Sequence, residues 1–199
     1  MTRMDGVAPG AAFGLLERAI SYALGTVPGV TADGLGAPTP CAGWDLRTLL
    51  QHVNESLDLL HECLAGPTAT APPATDPLDL FRARATRLVA AFSRPVTQRV
   101  VIAGGCPLAL GVIARTGALE IAVHGWDISR AIQESRPIPN ELASDLLGLC
   151  PVLVADARHH RLFAPPVPLP PAAGPSDQLV ALLGRDPAIC SHISPGAMS

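Results

Sequence analysis

The sequence predicts an all-α fold, and three features point that way. Hydrophobic residues make up 48% of the 199 positions and aromatics only 4%, so the core must be filled with aliphatic side chains and alanine. Apolar residues recur at three- and four-residue spacing along several long segments, the period of an amphipathic helix. Against them stands one convincing strand candidate, the short β-branched run in TQRVVIAGG, which ends in glycines. A chain of this length fills one domain, expected over residues 1–187, with residues 188–199 as a disordered tail.

The first helix is expected from about Gly10 to Leu24, with Phe13, Leu15, Leu16, Ile20 and Leu24 spaced for one face. The segment GTVPGVTADGLGAPTPCAG then makes a long connection. Asp45 is placed to cap a second helix, Leu46 to Leu64, with the stripe Leu46, Leu49, Leu50, Val53, Leu57, Leu60 and Leu64. After the loop GPTATAPPATDP, a third helix runs from about Leu78 to Phe92. It turns Phe81, Leu88 and Phe92 inward and leaves Arg82, Arg84 and Arg87 more exposed. Pro107 can open a fourth helix, reaching about Glu134. Gly111, Gly117 and Gly125 lie inside it, each costing ~1 kcal/mol against alanine, a cost usually offset by close helix packing. Asn140 caps a fifth helix to about His159, which Pro151 is expected to kink. APPVPLPPAAGP reads as polyproline-like chain on the surface, and Ser176 caps a last helix, SDQLVALLG.

Composition excludes several functions. The net charge of −3, with no block of like charges, gives no nucleic-acid footprint. No apolar run suits a bilayer and MTRMDGVAPG lacks a signal-peptide layout, so no membrane association and a cytoplasmic location are expected. All fourteen basic residues are arginine, which removes Schiff-base, P-loop and lysine-base chemistry, since each needs an amine. The same bias fits the coding of a GC-rich genome, such as that of an actinobacterium. Cys41, Cys63, Cys106, Cys150 and Cys190 are odd in number and contain no Cys-x-x-Cys, so neither a disulfide framework nor a Cys₄ zinc site is expected. Cys41, just before the second helix, reads either as an activated thiol or, more simply, as a small packed hydrophobe.

The stretch LEIAVHGWDIS carries the chemistry. Glu120 and His124 stand four residues apart on one helix face, with Cβ atoms ~5–6 Å apart. A cation held ~2.0–2.2 Å from each can bridge that gap. A third ligand must come from another element. His61, His159, His160 and His192 are expected to face solvent, whereas His52 flanks the leucine stripe beside Ser56, Leu59 and Cys63. Two histidines and a glutamate with an open fourth position make a catalytic rather than a structural zinc arrangement. Glu-x-x-x-His is also common in helices, and a plain hydrogen-bonded pair is the alternative reading. Both tryptophans sit in Gly-Trp-Asp, and Trp44 and Trp126 are expected to pack the bundle near the site. Asp127 is placed to orient an arginine such as Arg47 or Arg130, or to hydrogen-bond a ligating imidazole. Ser56 and Thr116 are further polar neighbours.

Three blocks, TPCAGWDLRTLLQHV, LEIAVHGWDISRA and VLVADARHHRLFAPPVPLPPAAGPSDQLVALLGRDP, resemble the mycothiol-dependent maleylpyruvate isomerase-like branch of the DinB metalloprotein superfamily. The resemblance follows the chain from the first helix to about Pro187 and is loose from Leu64 to Ala103. It implies a DinB-like four-helix bundle running up, down, down and up, with short extra helices and a proline-rich C-terminal extension. It also implies a divalent metal, zinc or nickel, on His52 of LLQHV and on Glu120 and His124 of LEIAVH. The proline-rich stretch and last helix stand where larger isomerases carry a separate C-terminal substrate domain.

The expected activity is that of a metal enzyme acting on a small, partly apolar electrophile, by transfer of a thiol such as mycothiol or by thiol-assisted isomerisation. A thiol-free cyclase, isomerase or hydrolase and a non-catalytic metal-binding regulator are the alternatives, because activity belongs to the site and not to the fold. A homodimer is the expected assembly, since the aliphatic surface is large for so few charges.

Overall fold

The computed structural model describes residues 9–66, 76–92, 100–103, 106–159 and 164–188. Among them six α-helices form: α1 (Pro9–Thr26), α2 (Leu46–Ala65), α3 (Pro77–Phe92), α4 (Leu110–Ala131), α5 (Asn140–His159) and α6 (Pro175–Leu182). One antiparallel hairpin, β1 (Val100–Ala103) and β2 (Cys106–Ala109), precedes α4. The all-α expectation holds.

Side-chain contacts fix the direction of each bundle helix. Gly111 faces Ala12 near the starts of α4 and α1, and Gly125 faces Tyr22 and Ala23 near their ends, so these two helices are parallel. His52 meets Glu120 while Leu60 lies over Gly117, so α2 runs against α4. Asn54 Nδ2 donates to the Pro77 carbonyl at 2.9 Å and Asp58 pairs with Arg84 and Arg87, so α3 runs with α2. Phe13 stacks on Phe92, ring centroids 5.7 Å apart, which makes α1 and α3 antiparallel. The order is therefore up, down, down, up.

The α2 stripe faces inward as its period requires: Leu46, Leu49, Leu50 and Leu57 are fully buried, against Phe81 and Leu88 of α3 and Ile121 and Ile128 of α4 in one core. Glycine eases the close approach of α4 to its neighbours. A Cβ on Gly125 would stand 3.1 Å from the Ala23 Cα, and one on Gly117 would stand 2.6 Å from Leu60 Cδ2. Close approach thus outweighs the helix-propensity cost and brings the polar face of α4 against α2.

Several local expectations give way to tertiary structure. α4 begins at Leu110 because Pro107 belongs to β2, paired with Ile102. A proline in the run hid that strand, although a two-stranded ribbon tolerates it at an edge. Ser176 is not the cap of α6. Gly174 holds that position, and Ser176 is buried, its Oγ accepting from the Ile138 N–H at 3.0 Å. His61 is buried rather than solvent-facing. Arg84 and Arg87 are drawn in beside Asp58 at 2.6 and 2.5 Å. Pro151 lies inside α5. His160, His192 and the tail from residue 189 lie outside the described residues.

Candidate metal centre

The loop before α2 is built to present two side chains. Pro38 bridges to Asp45, the Thr39 N–H donates to the Trp44 carbonyl at 3.1 Å, and the Thr39 hydroxyl donates to the same oxygen at 2.9 Å. Gly43 turns the chain with φ +80°, a conformation that disfavours any side chain. Asp45 then caps α2, accepting the Thr48 N–H at 2.8 Å, and this bond holds its carboxyl below the usual range. Cys41 and Trp44 project from this loop toward α2 and α4, and the first α2 turns bring His52 beneath the indole.

His52, Glu120 and His124 converge. His52 Nε2 lies 3.0 Å from Glu120 Oε1, and one ligand-capable atom from each of the three lies within 4.8 Å of the others. The two imidazoles meet edge to face at 5.1 Å between centroids, and the Trp44 ring covers them at 4.9 Å from His52 and 6.4 Å from His124. Ser56 Oγ donates to Glu120 Oε1 at 2.5 Å. Burial alone would raise the Glu120 pKa, but hydrogen bonds from His52 and Ser56 hold it below its ordinary value. The same bond to Glu120 raises that of His52 against the effect of burial. The His52 and Glu120 side chains are 37% and 33% exposed, so the cluster opens to solvent on one side. Two imidazole nitrogens and one carboxylate oxygen suit a borderline divalent cation such as zinc or nickel, so the donor set fits the metal that the fold implies.

A second cluster shares His124. Its Nδ1 lies 3.0 Å from Asp127 Oδ2, an atom that also accepts from Cys41 Sγ at 3.2 Å and from Arg185 Nη2 at 2.9 Å. Arg185 Nε adds a contact of 3.3 Å to Asp127 Oδ1. Asp127 is fully buried; burial would raise its pKa, but the hydrogen bond to His124 and the charge of Arg185 more than reverse this. Cys41 is the opposite case. Burial and the Asp127 charge push its thiol up to about 12, which favours the packed hydrophobe over the activated thiol.

The arginine that Asp127 orients is Arg185, 58 residues along the chain, and not Arg47 or Arg130. Arg130 instead lies 5.1 Å over the Trp126 ring and donates to the Pro187 carbonyl. What aims Arg185 is a helix end. The Gly184 N–H bonds the Ala181 carbonyl and the Arg185 N–H bonds the Val180 carbonyl, each at 3.0 Å, with Gly184 at φ +82°. This is a Schellman reversal, and it returns the chain to the bundle. Glycine after SDQLVALL signals that end in the sequence; the partner it delivers is not signalled. Of the expected polar neighbours, Ser56 and Asp127 touch ligand residues, and Thr116 is exposed.

Comparison with known proteins agrees with this architecture. The family model described as the mycothiol maleylpyruvate isomerase N-terminal domain, a DinB-like family, matches residues 16–129. Uncharacterized proteins from two strains of Mycobacterium tuberculosis are each 32% identical over 165 residues, covering 78% of this chain and 87% of theirs. No solved structure matches the chain. No helix among the described residues is long and apolar enough to cross a membrane.

Proposed function

The chain belongs to the mycothiol maleylpyruvate isomerase N-terminal domain family, and on that premise we propose that it is a divalent-metal enzyme acting on a small, partly apolar electrophile by thiol transfer or thiol-assisted isomerisation. The observation that carries the reading is the convergence of His52, Glu120 and His124, from two different helices, in a cluster open on one side.

These three side chains would hold zinc or nickel. When bound, the cation supplies positive charge that acidifies a thiol or water beside it and polarises an electrophile. The chain's own residues set the stage for that. Ser56 fixes the Glu120 carboxylate through Oε1. Asp127 Oδ2, 3.0 Å from Nδ1 of His124, orients that imidazole. Trp44 covers both imidazoles and screens that side from water. Burial and the Asp127 charge raise the Cys41 thiol, so this reading takes the reacting thiol from outside the chain. A small thiol co-substrate such as mycothiol fills that role.

Titration of the cobalt-substituted protein with mycothiol tests the reading. A thiolate-to-cobalt charge-transfer band should grow to one equivalent, and Glu120→Ala should lose both the band and turnover while keeping its helical content. Loss of the band with turnover intact would favour a thiol-free hydrolase or cyclase. Turnover at the wild-type rate in both metal-free protein and Glu120→Ala would refute the metal enzyme altogether.

A further inference from the structure

The two overlapping clusters raise a question of choice. Cys41, His124 and Asp127 also bring a sulfur, an imidazole nitrogen and a carboxylate oxygen within 4.8 Å of one another, a ligand set as good for zinc as the first. What separates them is Arg185. Its guanidinium donates through Nη2 to Asp127 Oδ2 at 2.9 Å and to Cys41 Sγ at 3.3 Å, and through Nε to Asp127 Oδ1 at 3.3 Å. Its Nη1 is anchored on the Leu183 carbonyl at 3.0 Å. Two of the three ligand residues of this cluster are therefore already bound to a fixed positive charge. Among the described residues no arginine stands on His52 or Glu120, whose hydrogen bonds there come from each other and from Ser56.

We propose that Arg185 is a resident cation that decides which side of His124 binds metal: it fills the Cys41–His124–Asp127 cluster, so that a divalent ion can bind His124 only in the cluster shared with His52 and Glu120. This rests on the proposed metal site. Arg185 belongs to the segment after α6, beyond the residues that the family model matches. The C-terminal extension thereby acts on site specificity by occupying a competing position, and not by touching substrate. Removing the charge should open the second cluster. His124 would then offer Nδ1, Asp127 would offer its carboxylate, and Cys41 would bind as thiolate, its proton passing to solvent.

Cobalt(II) reports the choice, because a cysteine ligand adds a sulfur-to-metal charge-transfer band that histidine and glutamate ligands lack. With one equivalent of cobalt and no added thiol, the wild type should show ligand-field bands alone. Arg185→Met should gain the sulfur band, Arg185→Met/Cys41→Ser should lose it again, and Arg185→Lys, which keeps a charge, should resemble the wild type. Should Arg185→Met prove insoluble, Arg185→Gln, which keeps a donor to Asp127 without the charge, gives the same readings. A wild-type-like spectrum in a cobalt-loaded, uncharged Arg185 variant overturns the role of Arg185 and leaves the metal site standing. A sulfur band in the wild type overturns it as well. No cobalt uptake by the wild type brings down the metal site and this inference together.

Discussion

Arg185→Met tests the energetics of the buried pair in metal-free protein, apart from any ligand chemistry. The Asp127 side chain has no exposed surface and that of Arg185 only 10%, so solvent screens the pair little. Methionine keeps an unbranched apolar stem while removing two contacts to the carboxylate, at 2.9 and 3.3 Å, and leaves those from His124 and Cys41. Stranding one partner of a buried pair typically costs ~3–5 kcal/mol. The contacts from His124 and Cys41 remain on the carboxylate, so the lower end, ~3 kcal/mol, is expected. For a chain of this size that corresponds to a melting temperature lower by ~6–12 °C. Asp127→Asn in the same background removes the uncompensated charge and should restore ~1–2 kcal/mol, a sign of coupling between the two sites. Urea unfolding of wild type, both single variants and the double variant, in chelator at pH 7, measures the full cycle. Arg185→Met within ~0.5 kcal/mol of wild type, or single-variant costs that simply add, would refute the reasoning.

Two further outcomes follow from the same cluster. Asp127 has a folded pKa below its unfolded one, so its contribution to stability is complete above the unfolded carboxylate value of ~3.9 and is lost as pH falls through the lower folded value. Acid unfolding of the metal-free protein should accordingly be less steep in Asp127→Asn than in wild type; equal slopes would contradict the assignment. Gly184→Ala forces alanine into φ +82° and puts its Cβ 2.8 Å from the Ala164 carbonyl oxygen. A left-handed residue costs ~1–2 kcal/mol and the overlap with backbone adds to it, so ~2–4 kcal/mol of destabilisation is expected by denaturant titration. An unchanged midpoint would show that the helix end does not hold this segment against the bundle.

The parts legible in the sequence are those set by local physics. The α2 stripe and its Asp45 cap follow from helical period and capping, and both stand as read. Glu120 and His124 share a face for the same reason; His52 beside the leucine stripe is a candidate partner by position, and the resemblance implies the three-residue set. Legibility ended where a partner lies far along the chain. β2 was hidden by its proline, His61 by burial against elements that its own helix does not encode, and Ser176 by an acceptor role for the distant Ile138 N–H. Arg185 is the most consequential of these. Gly184 announces a helix end, yet only the packing of α6 and the segment after it determines that the next side chain reaches Asp127.

Anomalous diffraction from crystals of the wild-type protein grown with one equivalent of zinc tests the central claim most directly. The expected result is a single zinc peak, ~2.0–2.2 Å from a carboxylate oxygen of Glu120, from a ring nitrogen of His52 and from Nε2 of His124, with Arg185 still on Asp127. A peak on Cys41 and Asp127, or zinc bound only away from these three residues, would contradict it.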